Sequence, residues 1–114
     1  MSGSDFRQLA AYRLAATLAD DLHRATTAWQ SFDRWSVGLQ LVRAADSVGA
    51  NIAEGAGRWH PADRRRLYMI ARGSLYEVEH WLLRAQARAL TNDIFEGRAN
   101  EVGRTLNGLI KSTR

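Results

Sequence analysis

The segment Arg43-Ala44-Ala45-Asp46-Ser47-Val48-Gly49-Ala50-Asn51-Ile52-Ala53-Glu54-Gly55 carries two rows at helical spacing. Val37, Leu41, Ala44, Val48 and Ile52 form an apolar stripe. Ser36, Gln40, Arg43, Ser47, Asn51 and Glu54 form a polar one beside it. A solvated helix face needs no such ordered row of short polar groups. The polar row, with Arg43, Ser47, Asn51 and Glu54 at its centre, therefore reads as a structural seam.

The same periodicity predicts four helices, over about 5–27, 34–54, 61–89 and 92–112. The first is capped by Ser4 or Asp5 and shows Ala11, Leu14, Leu18, Leu22 and Ala25 on one face. The Ser31 to Asp33 turn supplies cap oxygens for the second. Gly55-Ala56-Gly57 ends that helix through a left-handed glycine. Pro61 suits the first turn of the third, whose core stripe reads Leu67, Ile70, Ser74, Val78, Trp81 and Ala85. Thr91 or Asn92 caps the fourth, with Phe95, Ala99, Val102, Leu106 and Leu109 inward. Short connections and the absence of period-two alternation predict an all-α, up-down antiparallel four-helix bundle forming one domain over 1–114.

Two helices carry more apolar surface than such a bundle buries. Trp35, Leu39, Val42 and Ala53 lie roughly opposite the core stripe of the second helix. Met69, Tyr76, Leu83 and Ala87 repeat the feature on the third. Aligned second stripes call for a further partner, and a homo-oligomer is the simplest. Trp35, Leu39, Val42, Met69, Tyr76 and Leu83 are the candidate interface residues.

Composition narrows the chemistry. The 114 residues hold no cysteine, which excludes disulfides and thiolate metal sites and suits a reducing, cytoplasmic setting. The opening Met-Ser-Gly-Ser-Asp has no apolar core of a secretory signal, and no run reaches a membrane span of ~20 apolar residues. The net charge is +4, and the segment 58–88 holds seven arginines against three acids, enough to account for it alone. A local excess favours a polyanionic partner, nucleic acid or a nucleoprotein, for a binding or scaffold module, and Arg58, Arg64, Arg65, Arg66 and Arg72 are the candidate nucleic-acid contacts. Trp59 beside Arg58 has two readings: a base-stacking platform or an anchor packing its loop onto the bundle. The arginines likewise have two, nucleic-acid contacts or subunit contacts in a purely structural assembly.

Catalytic and metal patterns do not emerge. His23, His60 and His80 lie in separate segments, Gly73-Ser74-Leu75 lacks the second glycine of a nucleophile elbow, and Gly55-Ala56-Gly57 lacks the Lys-Ser of a phosphate loop. Ser74 reads as packed or bonded back to its own helix. Glu54 reads as neutralising Arg43 or Arg72 within the seam rather than as a general base. The expectation is a non-enzymatic protein without metal, cofactor, small-molecule substrate or membrane association.

The residues Phe6-Arg7-x-Leu9, Gln40-Leu41-x-Arg43-Ala44-Ala45-x-Ser47-Val48-x-Ala50-Asn51-Ile52-Ala53-Glu54-Gly55, Gly57-Arg58 and Ala71-Arg72-Gly73-Ser74-Leu75-x-Glu77 resemble the four-helix bundle protein family. That family is also called the rRNA intervening-sequence protein family. The resemblance implies a four-helix protomer assembling as a homopentameric ring around a channel. It implies ties to insertions in bacterial large-subunit ribosomal RNA genes. It also implies kinship with accessory proteins of diversity-generating retroelements, which pair with a reverse transcriptase and bind nucleic acid. It brings no catalytic residues. Phe32-Asp33 and Ser36 stand where the family has Phe-Pro and a glutamate. His60 and Asp63 stand where it has a Ser-x-x-Glu capping box. These departures fall at helix starts and leave the polar row whole.

Overall fold

A computed structural model of the chain describes residues 5–114. Four helical rods run up and down in sequence. Helix α1 is Ala10–Thr27. Helix α2 opens with an α turn Ser31–Asp33, passes through a π-helical stretch Arg34–Gly38 and continues as Leu39–Ala56. Helix α3 is Pro61–Ala87 and α4 is Ile94–Ser112. Each packs on the next and α4 closes back on α1, in a body of 45 × 19 × 18 Å. No strand occurs among the described residues.

The apolar stripe of α2 is buried as its spacing requires: Val37, Leu41, Ala44, Val48 and Ile52 are all inside. Facing them are Ala11, Ala15, Leu18 and Leu22 of α1 and Ala99, Val102, Leu106 and Ile110 of α4. Pro61 stands at the first turn of α3. Asn92 Oδ1 accepts from the Ile94 amide at 3.0 Å and starts α4. Asp21 on α1 pairs with Arg98 on α4 at 2.7 Å and also with Arg24. The Arg98 hydrogen bond chiefly, with Arg24, holds the Asp21 carboxyl below the ordinary aspartate range.

Several expectations are corrected. Asp5 caps a 3-10 turn, Phe6–Gln8, by accepting from the Arg7 amide at 3.1 Å, and α1 starts only after the extended Leu9. Ser4 lies outside the described residues. Residues 31–33 belong to α2 instead of capping it. The π stretch that follows is invisible to a reading at fixed 3.6 pitch. It occurs where Gly38 is crowded: a Cβ there would sit 3.3 Å from the Asp33 carbonyl and 3.4 Å from Thr26.

The core of α3 keeps Leu67, Val78 and Ala85 of the predicted stripe and moves one residue on at its other three positions. Leu67, Ala71, Leu75, Val78, Leu82 and Ala85 are buried with Tyr68. Ile70 is 43% exposed, and Ser74 and Trp81 are half-buried. Apolar residues are spread so widely around α3 that two adjacent frames fit its spacing. Packing buries Ala71, Leu75 and Leu82 in place of Ile70, Ser74 and Trp81.

The helix ends also exchange roles. No described glycine has positive φ, and α2 runs through Gly55 to Ala56. Gly55 serves contact instead: a Cβ there would lie 2.8 Å from the Tyr68 ring and 3.1 Å from Leu67 Cβ. The left-handed position falls on Ala89, φ 59°, after α3. There the Leu90 amide donates to the Ala85 carbonyl (2.9 Å) and the Ala89 amide to Gln86 (3.0 Å), a Schellman ending without its glycine.

Opposite outcomes are therefore expected at these two sites. Gly55→Ala forces Tyr68 or the helix pair to shift and should cost roughly 1–3 kcal/mol. Ala89→Gly removes the left-handed penalty on an L-residue and should gain about 1 kcal/mol. Thermal melts of both variants measure the contrast.

Candidate functional site

The polar row of α2 splits into an inner and an outer part. Ser47 Oγ meets Ser74 Oγ of α3 at 2.8 Å, so Ser74 is neither core nor bonded back to its own helix. Asn51 Nδ2 donates to Ser47 Oγ (3.1 Å) and to the Ser47 carbonyl (2.9 Å). The Ser47–Ser74 bond joins α2 to α3, and Asn51, on α2 itself, braces Ser47. Arg43 and Glu54 face outward. Glu54 pairs with neither Arg43 nor Arg72, as the spacing had implied, but with Arg58 one turn on, at 2.6 Å. Both partners of that pair are about half exposed. The pairing follows from α2 running far enough to put Arg58 one turn beyond Glu54.

The arginines divide by what holds them. Arg64 is half-buried, and its Nη1 donates to the carbonyls of Arg58 (3.0 Å) and Trp59 (2.9 Å). It thus ties down the α2–α3 loop. Arg72 donates to Asn107 Oδ1 of α4 at 3.2 Å and serves the α3–α4 contact. Arg65 and Arg66 are exposed beside Met69 and Ile70. Trp59 is 88% exposed, so it does not anchor the loop onto its own bundle. Its carbonyl is held by Arg64 while its indole stands in solvent.

The up-down topology explains why charge gathers. One end of the rod holds the start of α1, the end of α2, the start of α3 and the end of α4. There Arg7, Arg58, Arg64, Arg65, Arg66, Lys111 and Arg114 meet only Asp5, Glu54 and Asp63. Lys111 and Arg114 were not singled out from the sequence. Their closeness to the Arg64–Arg66 run depends on α4 returning to the same end.

The apolar second stripes stay open. Trp35 is 64% exposed, Met69 46%, Tyr76 63% and Leu83 46%; Leu39 and Val42 are half-buried. Two hollows lie one beyond the other between α1 and α2 and together form the α1–α2 groove. A 420 Å³ section is lined by Trp35, Leu39 and Val42. A 370 Å³ section is lined by small residues, including Ala16, Gly49, Ala50 and Ala53, with Asp20 and Asp46. Among the described residues no cluster of three metal-ligating side chains occurs, and no helix is long and apolar enough to cross a membrane.

A family model described as the 23S rRNA-intervening sequence protein matches residues 7–108. No curated protein matches the chain.

The exposure of the Glu54–Arg58 pair sets a prediction. Glu54→Ala should change the stability of a free protomer by less than about 1 kcal/mol. Ser74→Ala, which leaves the half-buried Ser47 hydroxyl with one partner fewer, should cost about 1 kcal/mol. Denaturant titration of the two variants at low protein concentration tests this.

Proposed function

The chain belongs to the 23S rRNA-intervening sequence protein family, and from that premise we propose a non-enzymatic, cytoplasmic homo-oligomer, a pentamer, that presents its basic end to nucleic acid. The observation carrying this reading is the end itself. Arg65 and Arg66 are exposed there, and Arg64 holds a loop from which an 88% exposed Trp59 projects. Guanidinium groups contact phosphates, and an exposed indole offers a face to an unstacked base. Repetition around an assembly multiplies both. Phosphate contacts position a polymer without reading its sequence, so binding should tolerate many sequences.

A second reading keeps the assembly and drops the ligand. It is favoured by Arg64 and Arg72, two of the five candidate contacts, which are spent on the fold. On this reading the remaining arginines meet neighbouring subunits.

A salt series separates the two. Each phosphate neutralised contributes about −0.9 to the slope of log K against log salt on duplex DNA. Replacing Arg65 and Arg66 together should flatten that slope by about two for each protomer engaged. Replacing Arg88 and Arg104, away from the basic end, should change it much less. Equal effects from both pairs mean diffuse attraction and favour the structural assembly. Trp59→Ala should weaken single-stranded more than duplex binding.

Assembly is tested separately by light scattering, with a mass near five times 12.8 kDa expected. A monomer at micromolar concentration overturns the oligomeric reading.

A further inference from the structure

The exposed face of α3 and the α1–α2 groove match in height. In the protomer Ser47 meets Ser74, and Gly55 lies under Leu67 and Tyr68. Counting outward from these contacts along antiparallel helices sets Leu39 level with Leu83, Asp46 with Tyr76 and Ala53 with Met69. Both ladders step by seven residues. The first lines the groove; the second stands exposed on α3. A rotation about an axis parallel to the rod preserves height. It brings the α3 ladder of one copy to the groove of the next in register.

The chemistry matches as well. A small residue, Ala53, waits at the height of Met69. Asp46 waits at the height of the Tyr76 hydroxyl. Tyr12 lies against Gly49, which sets Asp20 on α1 near the height of His80. The small-residue section of the groove thus offers two carboxylates and no cation, and α3 offers donors opposite them. Of the acids on this part of α3, Glu77 is engaged by Trp81 Nε1 at 3.1 Å, and Glu79 is half-buried on the side toward Glu96 of α4. A two-fold pairing of α3 with α3 would leave the groove empty and both carboxylates unmet.

We propose that Met69, Tyr76 and Leu83 of α3 seat in the α1–α2 groove of a second copy, side by side and level. The contact joins unlike faces, so it propagates from copy to copy. The inference rests on the homo-oligomeric reading above and specifies which surfaces make it.

The chain has no cysteine, so introduced pairs report cleanly. Under mild oxidation, the doubly substituted Ala53→Cys/Met69→Cys and Leu39→Cys/Leu83→Cys proteins should give a ladder of covalent multimers on non-reducing gels. The off-level Leu39→Cys/Met69→Cys protein and each single variant should not. Linking of Leu83→Cys to itself would overturn the proposal in favour of a two-fold contact, as would equal linking by level and off-level pairs. Oligomeric mass without any ladder would overturn the proposal and leave the oligomer standing; a monomer would remove both. A charge test is independent of thiols. Tyr76→Glu should dissociate the assembly with helical content retained, and adding Asp46→Lys should restore it. Failure of that rescue while Asp46→Lys alone assembles normally would also count against the contact.

Discussion

The antiparallel seam between α2 and α3 governs the rest of the molecule. At one level the Ser47 and Ser74 hydroxyls meet at 2.8 Å; farther down, the Tyr68 ring covers Gly55, where a side chain has no room. One contact is polar and directional, the other steric. Together they remove the freedom of two long helices to slide past each other by a residue. Every height in the bundle then follows. The seam places the α2–α3 loop at the same end as the start of α1 and the end of α4.

That placement produces the electrostatics. The arginines of the α3 start would be a minor irregularity on an isolated helix, even an unfavourable one beside the amide-rich terminus. In the bundle they join Arg7, Lys111 and Arg114. Arg64 is diverted to the carbonyls of Arg58 and Trp59, which orders the loop and leaves the indole outside. The fold thus sorts chemically identical side chains into those that build the end and those that face outward.

The same sorting applies to apolar groups. A four-membered bundle has one interior, and α3 must choose which of its apolar frames faces it. Burying Leu75 and Leu82 leaves Met69, Tyr76 and Leu83 outside. On the other side of α2, alanines and Gly49 line a shallow hollow against α1. Surplus apolar surface and an open hollow follow from one constraint: a bundle with one interior buries one face of each helix.

Much of this is legible along the chain. The stripe Val37, Leu41, Ala44, Val48, Ile52 and the four-rod architecture follow from period alone, because burial of a helix face demands that spacing whatever the partner. The exposed set Trp35, Met69, Tyr76 and Leu83 follows from the same arithmetic, as surplus. What period cannot decide is phase and partnership. That Ala71, Leu75 and Leu82 of α3 turn inward in place of Ile70, Ser74 and Trp81 depends on which side chains fill the space left by α1, α2 and α4. Ser74 finding Ser47, Glu54 finding Arg58 and Arg72 finding Asn107 depend on distances set by the packed helices. The helix endings reversed for a similar reason: a glycine in sequence signals permission for a left-handed turn, but at Gly55 the need was for absent bulk, and Ala89 took the turn because α3 had to stop there. Local chemistry determined which helices exist; only the tertiary structure decided which atoms of each were spent on the fold and which were left to meet something else.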